Sequence, residues 1–328
     1  MALPRRAVLA APALLAPTLI MRPARAQAAW TIGTEYPATA MPGEGIAFFA
    51  QAANAASGGA VAVTAAANAP MGLRSAQLPG AVAEGKLQAA CAFTGAMANA
   101  TPLFGLSALP FLTGSAADAR RLLDAARPAY AATLGTQGLT LLYTTPWPPS
   151  GIWSRHALPD AAGLRGLKIR TFDATSTEVF RAAGSAPEQV SFADAMPKLR
   201  AGDLDAVLSS GDGGAGARLW EILPHFTSID YAWPLSLAFA STAALGALSA
   251  PAREAVMTAG GATEARQWQA IGTRLAENSS RMQSAGVRMA DGSASLRAAL
   301  REAALPVLRA WEARAGEAGT RVLAAYRG

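Results

Sequence analysis

Apolar and polar residues follow two periods along the chain, one typical of strands and one typical of helices. Short apolar runs predict strands at 30–34, 61–64, 87–93, 139–143, 152–154 and 167–170. Between these runs, apolar residues at helical spacing predict helices at 43–56, 78–85, 115–126, 176–183 and 192–200. Because strands alternate with helices, we predict an α/β fold with largely parallel sheets.

Prolines and caps divide this pattern. Three prolines in four positions within 145–151 fit neither a helix nor a central strand, so we interpret this segment as a crossover between two domains. Ser115 caps one helix, which Pro128 is expected to interrupt. The C-terminal part is predicted to be helical apart from a short strand at 287–289, with Pro306 kinking the final helix.

A helix–glycine–strand unit occurs twice, at 85–95 and at 202–211. Each strand ends in hydroxyl residues followed by glycine, as in Thr94-Gly95. Ligands of open α/β sheets bind at the carboxyl ends of strands, so the two units predict two strand ends that face one cleft. Chance similarity between two short units remains an alternative.

The first 26 residues have the pattern of a signal peptide. Arg5-Arg6 precede an apolar run, and Ala24-Arg25-Ala26 provides a cleavage site after Ala26. The paired arginines favour twin-arginine export, with general secretion as the alternative. A membrane anchor is disfavoured because the apolar run is short and is broken by prolines.

Composition and charge exclude several classes of protein. The chain has 328 residues, of which 52% are hydrophobic and 15% charged, which argues against disorder and allows two domains with cores. The net charge of +6 includes four arginines in 1–26, and without these four the 28 basic residues become 24 against 22 acidic ones. We therefore expect no nucleic-acid partner, and no later apolar run is long enough to span a membrane. Cys91 is the only cysteine, so no intrachain disulfide is expected.

The sequence offers little to catalysis. Its two histidines, His156 and His225, have no metal-ligand spacing, and the chain contains no CxxC, HExxH, GxSxG or P-loop motif. The glycine-rich run 211–214 is interpreted as a strand-to-helix turn, with backbone amides facing a ligand as the alternative. We expect no enzyme, no metal and no cofactor.

Arg170 is the leading candidate for ligand binding. It ends the predicted strand 167–170, and a guanidinium there is suited to hold a carboxylate with two parallel hydrogen bonds. The alternative is a solvated surface charge.

Several segments, in this order, together indicate a family: Ala56-Ser57-Gly58-Gly59 before a strand, Leu109-Pro110-Phe111, Gly166-Leu167-Lys168-Ile169-Arg170, Val190-Ser191-Phe192-Ala193-Asp194, Gly202-Asp203-Leu204-Asp205 and the helix with Pro306-Val307. With them, roughly residues 30–312 resemble the DctP-type solute-binding proteins of tripartite ATP-independent periplasmic (TRAP) transporters. The resemblance implies a two-domain periplasmic binding protein, type II-like, with a ligand cleft between the domains and long C-terminal helices. The expected domains are 27–150 with about 236–275, and 151–235 with about 276–328.

The resemblance also assigns site residues. Arg170 matches the family's ligand-gripping arginine, and Phe192 matches an aromatic wall. Ser209 falls where many members carry asparagine, Ser150 where many carry a second arginine, and Phe93 or Thr94 where sialic-acid-type members carry glutamate. These departures argue against dicarboxylates and sialic acid as ligands.

The expected function is capture of a small organic acid and its delivery to a TRAP membrane permease. One arginine pairs one carboxylate, so we predict a monocarboxylate with an apolar or aromatic body. Trp147, Trp153 and Trp233 are available to pack on that body alongside the phenylalanines, with core packing as the alternative. Hydroxyl or amine groups of the ligand are expected to meet Glu35, Asn68 or Asp212. A ligand sensor for a membrane receptor and a periplasmic enzyme are the competing functions.

Overall fold

The computed structural model describes residues 27–328. The signal peptide expected at 1–26, with its cleavage after Ala26, lies outside these residues. The strands are β1 (Ala28–Gly33), β2 (Val61–Ala66), β3 (Ala89–Phe93), β4 (Leu139–Pro146), β5 (Ser150–Ser154), β6 (Lys168–Thr171), β7 (Ala186–Gln189), β8 (Ala206–Ser210), β9 (His225–Ser228), β10 (Leu235–Ser241) and β11 (Arg288–Asp291).

The α-helices surround these strands. They are α1 (Met41–Ala56), α2 (Leu78–Ala83), α3 (Thr94–Met97), α4 (Ala116–Gly135), α5 (Ala174–Ala182), α6 (Phe192–Ala201), α7 (Gly211–Gly216), α8 (Thr242–Ala247), α9 (Ala250–Ser284) and α10 (Ala294–Arg327). Short 3-10 turns lie at Pro70–Gly72, Pro102–Ala108, Ala161–Leu164 and Leu219–Glu221.

The strands form two separate sheets, each the centre of a lobe. The first lobe has the order β2-β1-β3-β10-β4, and the second has the order β11-β9-β5-β8-β6-β7. In the first sheet β10 is antiparallel to both neighbours, and in the second sheet β5 is antiparallel to both neighbours. The remaining pairs are parallel. The fold is therefore α/β as predicted, but both sheets are mixed where largely parallel sheets were expected.

Each antiparallel strand directly follows a change of lobe. The chain leaves the first lobe between β4 and β5, returns between β9 and β10, and enters the second lobe again before β11, which is parallel to its neighbour. The proline-rich crossover predicted at 145–151 is the first of these passages. Pro146 ends β4 at the edge of the first sheet, where a missing backbone N–H removes no ladder bond from a central strand.

Helix α9 connects the lobes. Its 35 residues correspond to a length of about 52 Å. It packs against α1 and β4 in the first lobe and against α7 in the second. Helix α9 therefore links elements of the two lobes directly.

The expected interruption at Pro128 requires correction. Helix α4 continues through Pro128 to Gly135, because Tyr130 and Leu134 beyond the proline are buried and hold the helix against the core. In α10 the backbone leaves helical geometry at Gly316 (φ 60°, ψ −158°), beyond the kink expected at Pro306. After Gly316 the helix packs on α4 of the first lobe through Val322 and Leu323.

Both lobes have apolar cores. Trp153, Phe180 and Tyr231 are fully buried in the second lobe, and Phe49 and Tyr143 in the first. Cys91 is a free, buried thiol of the first core. Among the helices of residues 27–328, none combines the length and the apolar character that a membrane span requires.

Candidate functional site

A small cavity lies between the two lobes. Its lining residues come from strand ends, from the two crossovers and from the start of α6: Tyr36, Phe93, Trp147, Ser150, Arg170, Phe172, Phe192, Leu208, Ser209, Ser210 and Pro234. The carboxyl ends of β3 and β8 both reach this cavity, as the repeated helix–glycine–strand unit predicted. The fold thus brings together residues that are far apart in sequence.

Arg170 is the charged residue of this lining. It is 4% exposed and lies on β6, one of the inner strands of the second sheet. Its Nε donates to the Val190 carbonyl at 2.9 Å and its Nη1 donates to the Leu208 carbonyl at 3.2 Å. Its Nη2 donates no hydrogen bond to the described residues. The guanidinium is therefore fixed on one side and retains donors for a ligand.

Burial and the neighbouring groups shift the pKa of Arg170 in opposite directions. Burial lowers the pKa of its guanidinium, while Tyr36, Glu35 and Asp173 act in the opposite direction. An arginine remains protonated at neutral pH even after a considerable decrease. A buried cation without a carboxylate partner in its own cavity is expected to favour an anionic ligand, because charged groups in low dielectric need a partner.

Aromatic side chains form most of the cavity wall. Tyr36 packs against Trp147 at 4.7 Å and against Phe192 at 5.7 Å between ring centroids. Phe93 packs edge-on against Phe172 at 5.3 Å. The guanidinium of Arg170 lies 5.7 Å from the centroid of Phe192, a cation–π contact. The wall therefore offers apolar faces beside a single cation.

The polar groups of the wall are serine hydroxyls. Those of Ser150 and Ser209 form no hydrogen bond with the described residues, whereas the hydroxyl of Ser210 accepts the Gly213 N–H and caps α7. The indole N–H of Trp147 donates to the Ser236 hydroxyl at 2.9 Å. Two hydroxyls thus remain available to a ligand.

Six of the sequence-predicted site residues line this cavity: Phe93, Trp147, Ser150, Arg170, Phe192 and Ser209. The other six lie outside it. Glu35 accepts hydrogen bonds from the backbone of Ser75 and Ala193. Asn68 is exposed, and the Thr94 hydroxyl donates to the Leu235 carbonyl at 2.9 Å.

The remaining three have structural partners. Trp153 is fully buried in the second core, and its indole N–H donates to the Ser210 carbonyl at 3.1 Å. Trp233 packs in a small apolar cluster with Met41 and Ile271.

Asp212 has both carboxylate oxygens occupied. One accepts the Met41 N–H at 2.8 Å, and the other accepts from Asn278 at 3.2 Å and lies 3.0 Å from Arg274 Nε. Because Met41 begins α1 while Asn278 and Arg274 belong to α9, Asp212 ties α7 to both of these helices. The glycine-rich run around it is α7 itself, which agrees with the predicted strand-to-helix turn.

Sequence reasoning did not identify Tyr36, Phe172, Leu208, Ser210 and Pro234 as lining residues. Phe172 lies two residues beyond the predicted strand 167–170, and Ser210 is one of the hydroxyl residues that end the strand of the unit 202–211, so their positions at strand ends were a usable signal. Tyr36 and Pro234 depend on how the two lobes meet, which no local pattern contains.

Metal and catalytic groups are sparse around the cavity. No group of three or more His, Cys, Asp or Glu side chains suited to a metal occurs within 27–328. The described lining residues contain serines but no His, Asp, Glu, Cys or Lys. A serine needs an adjacent base to act as a nucleophile, and the described lining residues place no such carboxylate or imidazole beside these serines.

Two lobes with mixed sheets, joined by crossovers and enclosing a cavity with one buried arginine, define a two-lobed solute-binding protein. Residues 32–314 match the model of the family "Bacterial extracellular solute-binding protein, family 7", DctP, and the chain belongs to this family. The expected family and fold are thereby confirmed.

Solved structures agree with this assignment. DctP7 of Bordetella pertussis, an extracytoplasmic solute receptor binding pyroglutamic acid, is 27% identical with a TM-score of 0.88, covering 92% of this chain and 99% of that chain. A TRAP solute-binding protein specific for pyroglutamate, from an unidentified marine microbe, is 26% identical with a TM-score of 0.86, covering 92% and 99%.

One curated relative also matches. The uncharacterized protein y4mM of Sinorhizobium fredii is 28% identical over an alignment of 265 residues that covers 76% of this chain and 47% of the relative. The chain therefore spans about half the length of the curated relative that it matches.

Proposed function

We propose that the protein is the periplasmic receptor of a TRAP transporter, which captures a small monocarboxylate with an apolar or cyclic body and delivers it to the membrane permease. The single observation that carries this proposal is Arg170, a buried guanidinium whose Nη2 has no partner among the described residues while its Nε and Nη1 are held by backbone carbonyls. The carboxylate of the ligand pairs with the free donors of this side chain.

The number of cations favours a monocarboxylate. Arg170 is the cation of the cavity lining, and a second carboxylate would be buried without a charged partner. Arg74 and Arg155 are not available to pair with a second carboxylate of the ligand. Arg74 pairs with Asp194 outside the lining, and Arg155 donates to the Leu199 carbonyl.

The wall defines the rest of the ligand. The aromatic rings are suited to an apolar or flat body, and the free hydroxyls of Ser150 and Ser209 are suited to one further polar group. Pyroglutamate has one carboxylate, a small ring, and an amide that both donates and accepts. Both solved structures described above are more than 25% identical to this chain and are of proteins that bind this compound, which supports pyroglutamate as the first ligand to test.

The test is a thermal-shift and calorimetric comparison of pyroglutamate, benzoate and succinate with the purified protein. We expect stabilisation by the monocarboxylates, since a ligand at 100 times its Kd adds about 2.7 kcal/mol to stability. Arg170→Ala should weaken binding roughly 10- to 150-fold, because a hydrogen bond to a charged group contributes about 1.5–3 kcal/mol.

Lys168→Ala is the matched control, because it removes an exposed cation from the same strand. The ligand recovered from the protein should be chemically unchanged, which separates a receptor from the enzyme alternative. Equal loss in both variants, or tighter binding of succinate than of any monocarboxylate, would falsify the proposal.

A further inference from the structure

Glu35 connects the two lobes through its carboxylate. It follows β1 in the first lobe and is 5% exposed. Its Oε2 accepts the Ser75 N–H of its own lobe at 2.9 Å, and its Oε1 accepts the Ala193 N–H of the second lobe at 3.1 Å. Ala193 lies in the first turn of α6, where backbone N–H groups lack partners within the helix and a negative charge is favoured.

A second cross-lobe contact lies at the same helix end. Arg74 donates from Nη2 to Asp194 Oδ1 at 2.6 Å and from Nε to the same oxygen at 3.1 Å. The hydrogen bond from Arg74 is the main cause that holds the pKa of Asp194 below its ordinary value, so this ion pair is present at neutral pH. Both contacts therefore fasten the first turn of α6 to the first lobe.

The contacts adjoin two walls of the cavity. Glu35 precedes Tyr36, and Ala193 follows Phe192. The rings of Tyr36 and Phe192 lie 5.7 Å apart across the cleft. The contacts of Glu35 therefore lie directly beside the place where these two rings meet over the cavity.

The segment that carries Arg74 has an unusual backbone. Asn68, Ala69 and Met71 adopt positive φ values of 61°, 53° and 54°. Hydrogen bonds from the N–H groups of Asn68 and Ala69 to the carbonyls of Tyr36 and Thr34 hold the segment on the chain around Glu35. Such conformations persist where the surrounding structure fixes them, and they cluster at functional sites. The segment thus presents Arg74 and the Ser75 N–H in a fixed position.

We propose that Glu35 and Arg74 form a latch, made of their contacts with Ala193 and Asp194, that holds the lobes closed and sets the rate of ligand release. They are positioning residues that do not touch the ligand, although the sequence suggested Glu35 as a ligand contact. The inference rests on the proposed function, since it assumes that the enclosed cavity holds the ligand.

Release kinetics test the latch with pyroglutamate as the probe. Arg74→Ala should raise koff about 2- to 5-fold with little change in kon, because a partly exposed ion pair contributes modestly. Glu35→Gln removes one of two acceptor oxygens and should raise koff about 10-fold or more. Exchange of the pair, Arg74→Asp with Asp194→Arg, should restore part of the parent rate.

Lys198→Ala is the control for the ion pair. Lys198 lies on the same helix and pairs with Glu188 at 2.8 Å within the second lobe, so its loss should leave koff unchanged. The affinity ratio between pyroglutamate and benzoate distinguishes the two roles of Glu35. A latch weakens both acids by the same factor, whereas a changed ratio in Glu35→Gln, or equal effects of Arg74→Ala and Lys198→Ala, overturns the inference.

A distance measurement separates this inference from the proposed function. Cysteines replacing exposed Gln51 on α1 and Arg181 on α5 accept spin labels, while the thiol of Cys91 is buried. Arg74→Ala and Glu35→Gln should broaden the inter-lobe distance and shift it to larger values. If no acid binds the parent protein but this shift occurs, the latch stands and the proposed function falls. If acids bind and the distance is unchanged, the latch is refuted.

Discussion

Replacement of Gly214 by alanine tests how α7 is packed behind the cavity. A Cβ atom at this position would lie 2.1 Å from Cε2 of Trp153 and 2.4 Å from its Nε1. Trp153 is fully buried, donates to the Ser210 carbonyl at 3.1 Å, and packs at 5.1 Å on Phe226. The indole has no free space into which it can move, so either the ring or α7 must shift.

The expected cost follows from three contributions. Overpacking of a core costs about 1–3 kcal/mol or more. Loss of the indole hydrogen bond adds about 0.5–1.5 kcal/mol. The higher helix propensity of alanine relative to glycine offsets this cost by up to about 1 kcal/mol. Gly214→Ala should therefore destabilise the protein by roughly 1–4 kcal/mol, which lowers Tm by about 2–6 °C in a protein of this size.

Scanning calorimetry of Gly214→Ala beside Gly216→Ala checks this reasoning. Gly216 belongs to the same helix, but the nearest atom to its added Cβ is Ala40 Cβ at 3.4 Å, an ordinary contact. Gly216→Ala should therefore leave Tm nearly unchanged or slightly higher. Equal Tm values for the two variants would refute the argument that Trp153 requires glycine at 214.

Two further predictions concern buried carboxyl groups. Burial raises the pKa of Asp173 from 3.8 to about 6, so its stabilising contribution is complete below pH 3.8 and is lost, about 3 kcal/mol in total, as the pH rises through 6. Asp173→Asn retains the helix cap and should be more stable than the parent protein at pH 8 but equally stable below pH 4. Urea unfolding at both pH values measures this difference, and a variant less stable than the parent at pH 8 contradicts the reasoning. Asp212→Ala removes the carboxylate of α7 that pairs with buried Arg274 and should lower the free energy of unfolding by about 3–5 kcal/mol. A loss below about 1 kcal/mol in urea unfolding would contradict the role of Asp212 in holding α7 to α9.

Much of the architecture could be predicted from the sequence, because short periodic runs contain local information. The strands around 30–34, 61–64 and 167–170 occur within a few residues of their expected places. Strand β10 was not predicted: both of its faces are buried, so its exposed and buried positions do not alternate, and a short segment of this kind fits a buried strand or a buried helix equally well. Its place between β3 and β4 explains why the first sheet is mixed.

The candidate site could be predicted only in part, for a different reason. Arg170, Phe93 and Ser209 lie at or near the carboxyl ends of predicted strands, a position with general meaning in α/β folds. Glu35 also follows a predicted strand, but its partners are the backbone amides of residues 75 and 193. Backbone donors have no residue-type signature, so no pattern of side chains indicated that this carboxylate was already occupied.

Hydrogen-bond partners also distinguish the buried charge that is available to a ligand from buried charges with structural roles. Four charged residues that are at least nine-tenths buried could each bind a ligand by residue type alone: Glu35, Arg170, Asp173 and Asp212. Glu35 and Asp212 have hydrogen-bond partners for both oxygens, and Asp173 caps α5 away from the cavity lining. Only Arg170 both lines the cavity and retains donors without partners among the described residues. Because an unpaired buried charge is costly, a buried charge that has incomplete hydrogen bonds and also lines the cavity marks the place where the fold leaves room for a ligand.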